Sequence, residues 1–437
     1  MISTEPMQVY KDSQGDEILA TNSRAMAIAT TLFFMWGFLT CLNDILIPHL
    51  KAIFELTYAQ VMLVQFAFFS AYFVFAIPSG KLVEWRGYKQ SMVISLLVMA
   101  AGALMFLPAS GIPSFNVFLA ALILLAAGIT CLQVAANPYV ANLGPQRTAS
   151  SRLNLAQAFN SLGTTIAPFF GSAMILSTTP LAANKLHSLS AALLQQYRMQ
   201  QASSVRLPYV GIAITLVVLA VLLALIQLPA LNYTQDFRPS NFDTNTSHDS
   251  IWRHPHLLFG AVGIFVYVGA EVSIGSFLIN YFELPSIGNL TEKTAALYVA
   301  LYWFGAMVGR FIGSAVLQRV RTSLALTVAA AIASALILLS ITSHGHVAMF
   351  SVIAVGLFNS IMFPSIFTLG IADLRQLTSR GSSLLVAAIV GGAILPLLQG
   401  RLADRIGVQH ALIIPVVCYL YIVGFGVFMT RTRVDVD

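Results

Sequence analysis

A chain of 437 residues with 57% hydrophobic side chains, only 9% charged ones and a mean hydropathy of +0.80 cannot cover a water-facing surface, because soluble chains carry about 25% charged residues. Its net charge of +6 falls in short connections between apolar runs and forms no basic stripe with interleaved aromatics, which excludes a nucleic-acid binder and fits control of membrane topology. Cys41, Cys131 and Cys418 each sit inside an apolar run, so neither a disulfide framework nor a zinc site is expected.

The opening residues, an N-terminal tail over 1–23, are polar and mixed in charge and carry no cleavable signal peptide, so the first apolar run is read as the insertion signal. A run of about 20 apolar residues crosses roughly 30 Å of hydrocarbon, and twelve such spans are predicted. They cover 24–48, 58–83, 88–109, 115–142, 152–176 and 207–229, then 255–283, 293–318, 322–342, 346–371, 381–400 and 409–430. Between the sixth and seventh lies NYTQDFRPSNFDTNTSHDSIWR, a polar linker over 232–253.

The predicted fold is an all-α membrane protein of twelve transmembrane helices in two pseudo-symmetric six-helix bundles, 24–231 and 254–431, followed by a tail at 432–437. KLVEWRGYKQ after the second span and GRFIGSAVLQRVR at the eighth are both basic and occupy equivalent places in the two halves. Both termini are predicted to be cytoplasmic. That orientation puts most of the 23 Lys and Arg residues, Arg152 and Arg310 among them, at the inner face and leaves Lys51, Lys185, Arg198, Arg206, Lys293, Arg401 and Arg405 outside. Arg401 and Arg405, in a loop over 401–409, are read as pairing with Asp404.

Chemistry enters where polar residues interrupt the spans. A carboxylate at the bilayer centre costs at least about 2.5 kcal/mol, so it needs a function or a partner. Asp44 in WGFLTCLNDILIP and Glu271 in YVGAEVSIGSF are the two acids that sit clearly inside spans, and they fall on the leading helix of each half. Each reads as a cation-coupling group facing a central cavity; the alternatives are a helix cap near Pro48 and an arginine pair, respectively.

Amides form faces as well. Gln133 and Asn137 are four apart in the fourth span, and Asn154, Gln157, Asn160 and Ser161 share a face of the fifth, with Asn359 the corresponding amide of the tenth. An amide offers donors and acceptors matched to sugar hydroxyls, while helix-to-helix bonding is the competing role. Phe33, Trp36, Phe69, Tyr72, Tyr267, Tyr302, Trp303, Phe358 and Phe363 also lie within spans. Rings can stack on the apolar face of a pyranose while amides take its edge.

These segments resemble a known family, the fucose, galactose and glucose symporters of the major facilitator superfamily. The likeness runs through LNDILIP (Leu42 to Pro48), AANPYV with LGP (Ala135 to Pro145), LNLAQAFNSLGTTIAP (Leu153 to Pro168) and FPSIFTLGI (Phe363 to Ile371). The resemblance implies import of a hexose with a coupled cation, usually a proton. It makes Asp44 the coupling carboxylate and puts Asn43, Gln157 and Asn160 near the sugar. Fucose-transporting members carry a carboxylate where this chain has Gln133 and an amide where it has Glu271, so the likeness points to the glucose, galactose or N-acetylglucosamine branch.

The expected function is therefore sugar:cation symport by alternating access in a bacterial inner membrane. Asp44 and Glu271 would couple the ion. Trp36, Asn43, Tyr72, Gln133, Asn137, Gln157, Asn160, Tyr267 and Asn359 would bind the sugar. No cofactor or fixed metal is expected; the coupling ion is H+ or Na+, with sodium placed near Asp44 or Glu271. The expected partners are the sugar, the cation and the lipid bilayer, for a functional monomer that is not an enzyme. L-fucose:proton symport and efflux antiport of sugars or drugs are the rival functions, and a membrane sugar sensor is a third.

Overall fold

A computed structural model describes the backbone of residues 9–11, 17–19, 22–54, 58–111, 115–174, 193, 206–229 and 250–432, and the side chains of 22–39, 41, 66–107, 115–167, 193, 209–229 and 250–432. A two-stranded antiparallel hairpin, β1 (Val9–Lys11) with β2 (Glu17–Leu19), stands ahead of the first helix; every other regular element described is helical. Residues 232–249 of the linker, most of the connection between the fifth and sixth spans, and the last five residues lie outside the described residues.

The first half of the chain gives α1 (Ser23–Phe54), α2 (Tyr58–Gly111), α3 (Phe115–Ala141), α4 (Ala149–Met174) and α5 (Arg206–Leu225). The second gives α6 (Pro255–Glu283), α7 (Glu292–Val316), α8 (Thr322–Thr342), α9 (Gly345–Asn359) and α10 (Met362–Ile371). It ends with α11 (Thr378–Ala387), α12 (Gly391–Ile406), α13 (Val408–Ala411) and α14 (Ile413–Arg431). Among the described residues, eight helical segments are long and apolar enough to cross a membrane. Their polarity is inverted relative to a soluble protein. Phe73, Val218, Leu297, Phe304 and Val417 are exposed, whereas Gln133, Asn137, Asn359 and Gln399 are buried, as required when the solvent is hydrocarbon.

Three departures from the predicted spans have local causes. The second and third spans are one helical run, α2, that turns at Gly87, whose φ of 78° suits a residue without a Cβ. The tenth span breaks between Asn359 and Met362, because Pro364 has no N–H for the carbonyl of Ser360 and its ring crowds that carbonyl. The eleventh continues as helix to Ile406, so Arg401 and Arg405 lie in its last turns rather than in a loop. Neither arginine comes within 4.0 Å of Asp404. The neighbours 404 and 405 point to different sides of a helix, and the expected pairing is not formed.

Small residues let the helices approach. A Cβ on Gly37 would collide with the carbonyl oxygen of Asn160, and one on Gly163 with the carbonyl of Phe34, so α1 and α4 cross backbone to backbone. Gly391 plays the same part against the carbonyl of Phe265 where α12 crosses α6. Between the halves, α2 packs on α11 and α4 on α7, while α3 meets α11 and α4 meets α10. These contacts concentrate on the face carrying the connections Gln146–Thr148, Arg319–Arg321 and Arg375–Leu377, here called the basic face. There the Arg380 guanidinium donates to Glu84 Oε1 at 2.7 Å, Ser151 donates to the carbonyl of Ser314 at 2.5 Å and Ser382 to that of Val134 at 2.9 Å.

Arg152 braces one of those connections. It is a buried cation, yet its guanidinium donates to the carbonyls of Val140, Ala141, Gly144 and Pro145 and to the Thr148 hydroxyl. Desolvation is offset by hydrogen bonds to the turn it encloses.

Candidate functional site

Glu271 sits one helical turn after Tyr267 on α6, so both project from the same side. The Tyr267 hydroxyl donates to Glu271 Oε1 at 2.9 Å and lies 3.0 Å from the carbonyl oxygen of Asn359. That carbonyl is available because Asn359 is the last residue of α9, where the helix supplies no partner. The Asn359 side chain in turn donates from Nδ2 to the Tyr302 hydroxyl of α7 at 2.8 Å. Three helices thus converge on the carboxylate, and both tyrosines are fully buried.

No cation of the described residues lies within 4.0 Å of Glu271. Arg310 of α7 interacts with it electrostatically from farther away. The guanidinium reaches instead into the first half of the chain, donating to Ser161 Oγ and to the Gln157 carbonyl at 3.5 Å. Asn154 Nδ2 donates back to the Arg310 carbonyl at 2.7 Å. Arg310 is therefore a cation set between the two halves.

Sequence reasoning counted Arg310 with the charges of the inner face. Its helix runs on to Val316, which puts about 9 Å of further helix beyond it. The predicted span, 293–318, likewise runs past Arg310; its reach into the other half is what the sequence does not show.

In the first half, Gln133 donates from Nε2 to the Tyr72 hydroxyl at 2.9 Å and leaves Oε1 without a partner. Asn137, one turn on, has neither amide atom bonded, and Gln157 Nε2 is likewise unpartnered. In the second half the same holds for Asn359 Oδ1 and for both amide atoms of Gln399 on α12, a fully buried residue that sequence analysis passed over although it interrupts the apolar run AILPLLQG. Buried amide atoms left open cost about 1–3 kcal/mol each. Such open amide atoms, on α3, α4, α9 and α12, are of the kind that could bond a solute rich in hydroxyl groups.

Other expected residues are placed differently. Asn160 donates from Nδ2 to the Phe33 carbonyl at 3.0 Å, a bond that ties α4 to α1. Trp36 is half-buried with its ring 5.4 Å from that of Phe33. Asn43 and Asp44 belong to the helical backbone of α1, and their side chains lie outside the described residues. The structure thus joins Tyr267, Glu271 and Asn359 directly, sets Arg310 against the main-chain carbonyl of Gln157, and pairs Gln133 with Tyr72 separately. No group of three His, Cys, Asp or Glu side chains suited to a metal ion occurs among the described residues.

This arrangement has close counterparts. A glucose/galactose transporter of Brucella abortus is 49% identical over 408 residues, covering 93% of this chain and 94% of that protein. The L-fucose-proton symporter of Escherichia coli is 37% identical over 413 residues, covering 94% of each. A crystal structure of the E. coli fucose:proton symporter superposes with a TM-score of 0.86 at 35% identity, covering 94% of this chain and 99% of that one. A second, in the outward conformation, gives 0.85. The sequence pattern described as Major Facilitator Superfamily matches residues 26–385. On this evidence the chain is a multi-pass membrane protein that belongs to the major facilitator superfamily.

Proposed function

We propose that this protein is a secondary active symporter that imports a hexose of the glucose/galactose class together with a proton. It works by alternating access as a monomer in a bacterial inner membrane, with both termini cytoplasmic and no cofactor. The observation that carries the reading is Glu271, a carboxylate inside a span, supported by Tyr267 and facing, without touching, an arginine anchored to the other half. Such a group can exchange a proton at modest cost in local structure, and each exchange alters the attraction between the halves.

Further support comes from the contact pattern. The pairs α2 with α11 and α4 with α7 exchange places when the two halves are interchanged, as do α3 with α11 and α4 with α10. Two pseudo-symmetric six-helix bundles, twelve helices in all, would produce such a pattern. Closure at the basic face, read as cytoplasmic, leaves an outward-open state as the resting arrangement. Protonation of Glu271 or Asp44 and binding of sugar to Gln133, Asn137, Gln157 and Asn359, with Trp36, Tyr72 and Asn43 nearby, would then lower the cost of reversing it. Coupling follows from different affinities of the two states for ion and sugar. A proton is favoured over sodium because the related L-fucose transporter is named a proton symporter.

The test is uptake by purified protein in sealed vesicles, with glucose, galactose, fucose, mannose and N-acetylglucosamine offered under an imposed proton or sodium gradient. Accumulation of glucose or galactose driven by the proton gradient alone is expected. Accumulation that follows sodium and ignores protons, or no concentrative uptake of any hexose, would overturn the proposal.

A further inference from the structure

The Tyr267 hydroxyl stands between two acceptors. Glu271 Oε1 lies 2.9 Å away on the same helix, and the carbonyl oxygen of Asn359 lies 3.0 Å away at the end of α9. A phenol has one hydrogen to donate, so it serves one of the two at a time. With Glu271 ionised the carboxylate takes it, because a charged acceptor holds a hydrogen bond more strongly than a peptide carbonyl does. The Asn359 oxygen then faces the phenol oxygen with no hydrogen between them. Once Glu271 is protonated its oxygens are the poorer acceptors, and the tyrosine hydrogen turns to Asn359 by rotation about the C–O bond. The phenol oxygen becomes free to accept the new carboxyl hydrogen, and no bond within the tyrosine breaks.

The carbonyl that gains or loses this partner sits where the backbone can respond. Up to Leu357, α9 is held against α7, since a Cβ on Gly309 would meet the Leu357 carbonyl and one on Gly356 the Tyr302 carbonyl. Beyond Asn359 the helix is broken until Met362, where α10 begins; α10 then carries Thr368 to the basic face, where its hydroxyl meets Ser150 of the first half. The Asn359 side chain moves with the same residue, and it donates from Nδ2 to the Tyr302 hydroxyl while Oδ1 stays open. Arg310 and Tyr302 of α7 and Tyr419 of α14 act on Glu271 from farther off. α10 carries no ionisable side chain, and the remaining charges of the helices packed on α6 stand in their terminal turns, as Arg380 of α11 and Arg401, Asp404 and Arg405 of α12 do.

We infer that Tyr267 is a positioning residue that reads the proton on Glu271: its hydroxyl serves Glu271 when that group is charged and the Asn359 carbonyl when it is neutral, which seats the break between α9 and α10 and, with it, the open Asn359 amide offered to the sugar. A merely structural tyrosine would hold the Asn359 carbonyl alike in both states. The consequence for sugar rests on the symport reading above; the exchange of partners does not.

Infrared difference spectra of the full-length protein in detergent, taken between mildly alkaline and mildly acidic buffer with asparagine isotopically labelled at the main-chain carbonyl, test the exchange directly. Acidification is expected to raise the C=O band of a protonated carboxyl that Glu271→Gln removes. Over the same pH interval one labelled amide band should shift, assigned by its loss in Asn359→Gln. In Tyr267→Phe the carboxyl band should persist while the labelled band stands still. Glu271→Gln should also leave the labelled band still, which decides the matter if Tyr267→Phe fails to fold, as thermal unfolding of each variant will show. Glucose binding by equilibrium dialysis should strengthen about threefold to tenfold on acidification, the worth of one hydrogen bond, and lose that dependence in Tyr267→Phe. A labelled band that stays put while Glu271 titrates, a shift that survives Tyr267→Phe, or a Glu271 that takes up no proton overturns the inference, and glucose affinity indifferent to pH overturns its extension to the sugar. Proton-driven hexose accumulation alongside any of these would leave the symport reading standing. The band shift in a protein that accumulates no hexose would sustain the exchange of partners and fault only that reading.

Discussion

The basic face and the interior behind it treat polar groups in opposite ways. At the face, Glu84 meets Arg380, Ser150 meets Thr368, and Ser151 and Ser382 bond to carbonyls across the divide. Farther in, Gln133 Oε1, both amide atoms of Asn137, Gln157 Nε2 and Asn359 Oδ1 have no partner. The face is thus completed by the protein itself, with many directional bonds each of modest strength, and so can be opened again. The interior amides keep polar atoms that the described protein groups do not complete.

Substitutions can break that contrast from either side. The largest effect is expected from Glu271→Gln, which keeps the shape and removes the exchangeable charge. Accumulation of sugar against its gradient should fall to the equilibrium level while exchange of labelled for unlabelled sugar persists, measured in the same vesicles. Gly37→Val comes next, because its Cβ meets the Asn160 carbonyl. Forcing α1 off α4 should cost about 1–3 kcal/mol or more, read as a lower unfolding temperature in detergent. Gln157→Ala removes an open amide from the interior and should raise the KM for sugar by about tenfold, within the 1–3 kcal/mol range of a lost hydrogen bond, with thermal stability unchanged. Glu84→Gln should have the smallest effect. Its ion pair with Arg380 is partly exposed and contributes at most about 1 kcal/mol. The gain in labelling of a single cysteine placed under the basic face should be no more than about fivefold, with the sugar KM little altered. If Glu84→Gln instead abolished sugar binding, the division between a closing face and a binding interior would be lost.

The sequence made the interior more legible than its connections. Hydropathy located most spans to within a few residues, and two in-span carboxylates with spaced amides stood out, because a bilayer makes every polar interruption costly and hence conspicuous. The pairings were not legible. The bond from Asn160 to Phe33, which ties two helices together, could not be read from the sequence. Arg310 was read only as a charge towards the inner face, because nothing in its own span shows that its guanidinium reaches Ser161 and Gln157 in the other half. Gln399 escaped notice since a single amide has no spaced companion to reveal its face. The break at Asn359 was implicit in Pro364, but its use by Tyr267 depends on a helix 92 residues away in sequence.

That break has a practical consequence for redesign. Asn359 serves the site twice, through a side chain that mutation can replace and through a carbonyl that it cannot. Any residue at position 359 that preserves the turn will still present its main-chain oxygen to Tyr267. The mounting of Glu271 is in this way insulated from the side chain at position 359, whose replacement would cost the bond to Tyr302 but leave the one from Tyr267 in place.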